Sequence, residues 1–170
     1  MEVNRTTIEK TAVALVTVAW FALMPQEGYH NNVDGTTDVL HHITYMVSHA
    51  NVWHLAGNLF VLWLLNPRLH LLPSLVIAFV MSFLPVFGPI WPLDGVTMGF
   101  SGVLFAILGI KWGAYCRVFK PAGMWFVMEA HREFAMKMLP LALIGIVIPH
   151  VNWCLHTYCL LAGFVYGRYR

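Results

Sequence analysis

The chain has 170 residues, of which 59% are apolar and only 11% are charged, whereas a soluble domain usually carries about 25% charged residues. A compact body of this length has too much surface to hide so many apolar side chains from water, which argues against a water-soluble monomer and predicts an integral membrane protein. The formal net charge of +2, without runs of aromatic and basic residues, gives no reason to expect nucleic acid as a partner.

Six apolar stretches predict an all-α fold, a polytopic bundle of six transmembrane helices that occupies residues 1–170 as a single domain. The predicted spans cover residues 11–25, 51–66, 69–88, 98–116, 134–149 and 151–167. The first span follows two cations as a signal peptide would, but no A-x-A-like cleavage site comes after it, so we interpret it as a retained span. Any function must then lie within the bundle or in the 26–50 loop.

The ten lysines and arginines lie at alternate ends of these spans. The opposite connections contain no lysine or arginine and carry four acidic residues, Glu27, Asp34, Asp38 and Asp94. Because cytoplasmic loops collect lysine and arginine, this pattern predicts that both termini are cytoplasmic. The lack of an arginine- and serine-rich transit extension favours a bacterial or archaeal plasma membrane.

Four of the polar side chains inside the predicted spans are candidate functional residues: His54, Asn58, Ser101 and His156. Their distances from the basic inner boundary, at about 1.5 Å per helical residue, are roughly 21 Å for His54, 15 Å for Asn58, 24 Å for Ser101 and 18 Å for His156. Polar groups in lipid are costly without partners, so such residues are functional candidates. His54 and Asn58 are four residues apart and share a helix face, and a bundle could bring all four side chains into one layer of the outer half of the membrane.

Serine, histidine and asparagine side chains in one layer can together catalyse nucleophilic acyl transfer. A serine hydroxyl becomes an effective nucleophile when a base takes its proton, and histidine is the usual base, so Ser101 and His156 are the predicted catalytic pair. His54, Asn58 and the backbone N–H of Ser101 are candidate donors to the oxyanion that forms during the reaction. The chemistry predicted here needs neither a metal nor another cofactor.

Small and acidic residues near the serine complete this prediction. Gly99 and Gly102 flank Ser101 and allow another backbone to approach closely. No aspartate or glutamate lies within a span near His156, so we expect a dyad without an acidic third member. Asp94, in the loop before Ser101, is the one acidic residue that is not excluded as a third member. The cysteines lack the spacing of a zinc site or a disulfide framework and are interpreted as packing residues: Cys116, Cys154 and Cys159.

Three segments resemble motifs of the rhomboid family of intramembrane serine proteases. The first is the Leu40–Phe60 segment, LHHITYMVSHANVWHLAGNLF, which is similar to the second-span motif. The second is the Met98–Phe105 segment, MGFSGVLF, which is similar to the Gly-x-Ser-Gly nucleophile motif. The third is His156 with Gly163, which resembles the histidine motif of the sixth span. The resemblance covers roughly residues 10–168 and implies a minimal six-span core.

The resemblance implies a role for each of these positions. It implies that Ser101 is the nucleophile, that His156 is the base, and that His54 and Asn58 are the oxyanion partners. It also implies that Phe105, where the family often has tyrosine, stacks on His156. His49, five residues before His54, belongs to the second-span motif and is a supporting residue.

The resemblance also implies what the protein acts on. It implies an endopeptidase for transmembrane segments of other proteins, with small residues before the scissile bond and helix-breaking residues beyond it. It implies that substrates reach the site between spans two and five, under a cap formed by the 147–152 connection. The expected partners are therefore transmembrane proteins and membrane lipid, while the natural substrate and the oligomeric state are not predicted.

Two features depart from the family pattern. Leu40 and His41 stand where the family commonly has a Trp-Arg pair, which puts the usual anchoring of the first outer loop in doubt. Cys159 replaces the first glycine of the family's His-x-x-Gly-x-x-x-Gly motif, so the packing of spans four and six is expected to be somewhat looser. Neither position belongs to the predicted dyad.

Other interpretations stay open beside the protease. One is a catalytically inactive rhomboid-like protein that binds membrane proteins. Another is a metal- or haem-binding membrane protein, suggested by four histidines predicted on the outer side, although solvated loop histidines explain them more simply: His30, His41, His42 and His49. A transporter would need a polar pathway to the inner leaflet, whereas Lys111 and Lys137 look interfacial.

Overall fold

A computed structural model describes residues 5–30, 39–65, 70–86, 95–119 and 151–170, together with residues 128, 129, 132, 134 and 136. This part of the chain is mostly helical, and the five separate positions are helical as well. Its helices are α1 (Arg5–Leu23), α2 (His41–Thr44), α3 (Val52–Leu64), α4 (Leu71–Met81), α5 (Ser101–Phe119) and α6 (Trp153–Tyr169). Two short strands, β1 (Tyr29–His30) and β2 (Val96–Thr97), pair in antiparallel orientation.

Helices occupy most of five of the six predicted spans, and the predicted span over residues 134–149 lies almost wholly outside the described residues. Among the described helices, α1 alone is long and apolar enough to cross a membrane by length and mean hydropathy, while α3 and α4 are shorter apolar helices. The count of six spans therefore stays a prediction.

Two helix ends differ from the predicted ones for reasons of backbone chemistry. The span predicted to reach residue 88 contains a helix that ends at Met81, and Pro85, which cannot donate a backbone hydrogen bond, follows soon after. The span predicted from residue 98 contains a helix that begins at Ser101, because Gly99 has a φ of 118° that a right-handed helix excludes. Ser101 is therefore the first residue of α5.

Helices α5 and α6 approach each other through glycine. Gly109 and Gly113 on α5 face Gly163 and Gly167 on α6, and a Cβ built on any of the four would overlap a backbone carbonyl oxygen of the facing helix. Glycine is therefore required at each position for backbones this close. This contact aligns the two helices whose N-terminal turns carry Ser101 and His156.

The remaining contacts place the segment after α1 beside the start of α5. In the small sheet Tyr29 lies opposite Thr97, four residues before Ser101. Tyr29 packs edge-on against the fully buried Tyr45, with ring centroids 5.0 Å apart. Helices α1 and α3 are joined by the buried Lys10 of α1, which donates a 2.8 Å hydrogen bond to the carbonyl of Trp63 near the end of α3, where helix carbonyls lack partners within the helix.

Candidate active site

Ser101 and His156 meet at the N-terminal ends of α5 and α6. The Nε2 atom of His156 lies 2.8 Å from the Oγ atom of Ser101, although 55 residues separate them in sequence. His156 is buried, with 7% of its surface exposed. With the ring proton on Nδ1, the serine hydroxyl donates to Nε2, which is the geometry that general-base activation of a serine requires.

Two aromatic rings hold the imidazole of His156. Phe105, one turn after Ser101 on α5, stacks on it with ring centroids 4.3 Å apart and planes 7° apart. Trp153, in the first turn of α6, meets it edge-on at 5.7 Å. The sequence resemblance singled out Phe105 but not Trp153. The two contacts restrict rotation of the imidazole, so its Nε2 atom stays directed at Ser101.

Donor groups lie beside the backbone that precedes the serine. A Cβ built on Gly99 would lie 2.7 Å from Nε2 of His54 and 3.4 Å from Nδ2 of Asn58, so both side chains border this turn. The Nδ2 atom of Asn58 is buried and has no hydrogen-bond partner among the described residues. The arrangement can therefore offer an N–H group to an anionic oxygen formed next to Ser101.

The two backbone N–H groups before Ser101 are held by the segment around α2. Gly99 N–H donates to the carbonyl of Tyr45 at 2.8 Å, and Phe100 N–H donates to Nε2 of His49 at 3.5 Å. The Nδ1–H group of the buried His49 donates in turn to the carbonyl of Val47 at 3.1 Å. The supporting residue His49 thus orients the turn that leads into the serine.

Gln26 completes this support and was missed in the sequence. Its amide group donates to the carbonyls of Trp20, Phe21 and Met24 at 3.3, 3.4 and 2.7 Å, at the end of α1. Its side-chain oxygen accepts from the N–H of His49 at 2.9 Å. A polar residue just after an apolar helix is the signal that could have indicated a cap, because the last helix carbonyls need donors.

Asn152 is a second residue that was missed. Its Oδ1 atom caps α6 by accepting from the N–H of Leu155 at 3.0 Å, and its Nδ2 group donates to Oγ1 of Thr97 at 2.7 Å. Asparagine directly before an apolar helix is a typical N-cap signal, so the first of these bonds was accessible from the sequence. The second joins segments that are distant in the chain, and no local pattern indicates it.

The family model described as Rhomboid domain matches residues 36–170. The chain belongs to the rhomboid family. It is therefore an integral membrane protein with an all-α, rhomboid-like fold, in a family whose members are in general intramembrane serine proteases and which also includes inactive forms. No curated protein and no solved structure gives a significant match to the chain.

This rhomboid carries a different pair where the family commonly has Trp-Arg. Leu40 is exposed, and Nε2 of His41 lies 3.2 Å from a carboxylate oxygen of Glu27, a partly exposed contact between two parts of the outer loop. His42, next to it, is buried between the rings of Tyr29 and Phe83, at 4.5 and 4.0 Å. The short helix α2 is therefore tied to the end of α4 through His42.

The remaining candidates of this rhomboid are placed as follows. Cys159 is fully buried beside Gly102, on which a Cβ would lie 3.6 Å from the cysteine Sγ, and none of the three cysteines forms a disulfide within the described residues. Asp94 lies outside the described residues. Within the described ranges, no group of three or more histidine, cysteine or acidic side chains is arranged to hold a metal ion.

Acid is expected to destabilise this rhomboid through His49. Burial, with a smaller contribution from His54, lowers the pKa of His49 from 6.5 to about 4, although its bond to Val47 opposes the shift. The unfolded chain therefore binds this proton more tightly, so the free energy of unfolding is fully retained above pH 6.5 and falls between pH 6.5 and about 4. Thermal unfolding in detergent at a series of pH values measures the decline.

The matched control for this pH dependence is His49→Gln, which removes the titrating ring and keeps a polar side chain. Its unfolding midpoint should fall less steeply than that of the wild type over the same pH range. An equally steep decline in both proteins would show that other groups cause the acid sensitivity.

Proposed function

We propose that this rhomboid is an intramembrane serine endopeptidase that uses Ser101 and His156 as a catalytic dyad. The observation that carries the proposal is the 2.8 Å contact between the Ser101 hydroxyl and Nε2 of His156, inside a helical membrane protein. If the serine and the histidine served only in helix packing, the buried ring nitrogen would not need to be aligned with the hydroxyl. Membership of a family of serine proteases supports the same assignment.

The mechanism follows from the positions of these groups. The Ser101 oxygen attacks the carbonyl carbon of the scissile peptide bond while its proton moves to Nε2 of His156. The resulting oxyanion accepts hydrogen bonds from His54, from Asn58 and from the backbone at Ser101. His156 then donates its proton to the leaving amine, which departs and leaves an acyl ester on Ser101. A water molecule, deprotonated by His156, hydrolyses the ester and restores the serine.

The surrounding residues serve this cycle by keeping the reacting atoms aligned. Phe105 and Trp153 restrain the imidazole in each proton transfer. His49 and Gly99 shape the turn before the serine, where a larger residue than glycine would collide with His54. Alignment of this kind lowers the barrier because the entropy cost of orienting the groups is met in folding.

The proposed setting is a single domain of six spans in a prokaryotic plasma membrane, with both termini cytoplasmic and the dyad in the outer half of the bilayer. Water reaches Ser101 from the outer face. Substrates are transmembrane segments of other proteins that enter sideways between spans two and five, below the 147–152 connection. They must unwind locally, because a helical peptide bond is hydrogen-bonded and shielded. Lipid is the other partner, and no metal, cofactor or nucleic acid is required.

Reconstitution with a single-span reporter substrate tests this function. A reporter with a small residue before a Gly-Pro-containing stretch should be cut within its membrane segment, with the fragment masses locating the bond. A matched reporter with a continuous leucine helix should be cut far more slowly, because its peptide bonds stay helical. Absence of cleavage by a folded, helical preparation would contradict the proposal and favour an inactive rhomboid-like binder of membrane proteins.

A further inference from the structure

A second hydrogen bond joins the two catalytic segments at the same offset as the dyad. The Nδ2 group of Asn152 donates to Oγ1 of Thr97 at 2.7 Å, and this bond spans 55 residues, as does the bond between Ser101 and His156. Each partner therefore precedes its catalytic residue by four positions. Asn152 and Thr97 are both buried, with 5% of their surface exposed. A neutral hydrogen bond shielded from water is strongly directional and is costly to leave unmade.

Each partner of this bond is itself attached to the segment that carries the catalytic residue. The Oδ1 atom of Asn152 accepts from the N–H of Leu155, so the same amide begins α6 and reaches across to Thr97. Thr97 lies in β2, where it pairs with Tyr29 and also interacts with the side chain of that residue. A shift of Asn152 or Thr97 is therefore passed directly to one half of the dyad.

The outer ends of α5 and α6 need such a connection. The glycine contacts that set the helix separation begin where Gly163 meets the backbone of Ala106, five residues or roughly 7.5 Å inward from Ser101. Between Thr97 and Ser101 the chain turns at Gly99, whose N–H is held by the carbonyl of Tyr45. The glycine packing therefore lies inward of the dyad, and the hydrogen bond between Asn152 and Thr97 joins the same two segments on its other side.

We propose that Asn152 and Thr97 are positioning residues for the dyad, and that their hydrogen bond sets the distance and direction between Nε2 of His156 and the hydroxyl of Ser101. The inference rests on the proposed function, because a positioning role needs a reaction to serve. It assigns to Asn152 two separable tasks, capping α6 and aligning the dyad. A displacement of about 1 Å in a catalytic pair can cost roughly 10²-fold in rate, so a partial loss of alignment is expected to cost about tenfold.

Asn152→Ser and Thr97→Val remove the bond from its two sides. Serine is a good N-cap, so Asn152→Ser keeps the start of α6 while losing the reach to Thr97. Valine has the shape of threonine without its hydroxyl. Both variants should lower kcat for the reporter substrate about tenfold with KM nearly unchanged, because substrate binding does not use this bond. Thr97→Ser, which keeps the hydroxyl, should restore kcat to within about twofold of wild type.

Thr17→Val is the matched control for Thr97→Val. Thr17 is equally buried, but its hydroxyl bonds the carbonyls of Val13 and Ala14 on its own helix at 2.9 and 3.1 Å. Its replacement should leave kcat at the wild-type value. The double variant of Asn152→Ser with Thr97→Val should be no slower than Thr97→Val alone, because the threonine change already removes the bond.

Three results would overturn the positioning role. The first is kcat unchanged in Asn152→Ser and Thr97→Val. The second is a loss of kcat that follows only the fraction of folded protein, with no rescue by Thr97→Ser. The third is a multiplicative loss in the double variant. A wild-type protein that neither cleaves the reporter nor reacts with a fluorophosphonate overturns the proposed function and the positioning role together. An active wild type with any of the three results above overturns the positioning role alone. The failure of the function and the failure of the positioning role are therefore distinguishable.

Discussion

Ser101→Ala and His156→Ala are expected each to reduce labelling of the purified protein by a fluorophosphonate roughly 10⁴-fold or more. The probe reacts when a serine oxygen attacks phosphorus and fluoride leaves, so Ser101→Ala removes the atom that forms the new bond. His156→Ala removes the base that lies 2.8 Å from that oxygen, and a serine hydroxyl without a base is a weak nucleophile. The second-order rate of labelling in detergent is the measurement.

The control for this experiment is Ser74→Ala. Ser74 is fully buried, and its hydroxyl donates to the carbonyl of His70 at 3.0 Å, so it is a serine held by its own helix. Its variant should label at the wild-type rate. Undiminished labelling of a folded Ser101→Ala protein would place the reactive serine elsewhere and reject the dyad. Full labelling of His156→Ala would retain the nucleophile and reject the histidine as its base.

Gly109→Ala and Gly167→Ala are expected to lower the free energy of unfolding by about 3 kcal/mol each, with larger residues preventing the native packing of α5 against α6. A Cβ at Gly109 would overlap the carbonyl oxygen of Leu160, and one at Gly167 would overlap that of Ile110. Neither obstacle is the mobile end of a side chain, so the helices themselves must separate. Unfolding by a denaturing detergent, followed by circular dichroism, measures the loss.

Gly57→Ala on α3 is the matched control for the glycine contacts. A Cβ at Gly57 meets no atom within 4 Å, and alanine favours the helix over glycine by about 1 kcal/mol. This variant should be as stable as the wild type or more so. Equal losses for Gly57→Ala and the α5 and α6 variants would mean that the close approach of the helices contributes nothing special to stability.

The glycine variants also connect stability to the proposed chemistry. Separation of α5 from α6 moves the segments that carry Ser101 and His156, so labelling by the fluorophosphonate should fall even in the fraction of protein that stays folded. Packed helices are bistable rather than continuously deformable, so the loss is expected to be abrupt as the substituted side chain grows. The same helix pair thus serves both the bundle and the dyad.

The residues of the candidate site could be predicted from the sequence because lipid penalises polar groups. In a chain this apolar, Ser101, His54, Asn58 and His156 stand out against their spans, and a fixed rise per helical residue predicts that they share a layer. The rhomboid motifs lie in the same segments, and the family match over residues 36–170 confirmed the family. The stacking of Phe105 on His156 followed from a motif in the same way, and the structure contains that stack.

The contacts that hold those residues in place were accessible only in the tertiary structure. Three hydrogen bonds join segments that are distant in the chain, and residue type alone does not reveal the partner of a side chain. They link Gln26 with His49, His49 with Phe100, and Asn152 with Thr97. His42 shows the same difference: it was predicted as a solvated loop histidine and is instead buried between two rings.

Composition by itself indicated an integral membrane protein, and residue chemistry indicated which side chains could perform hydrolysis. Both could be inferred from the sequence because the free-energy cost of a polar group in lipid is a local property of each residue. Tertiary structure decided the 2.8 Å approach of Ser101 to His156, the ends of the helices and the hydrogen bonds that position the turn before the serine. These depend on how α5 and α6 pack through their glycines, and a distance between two helices is a property of the folded chain as a whole.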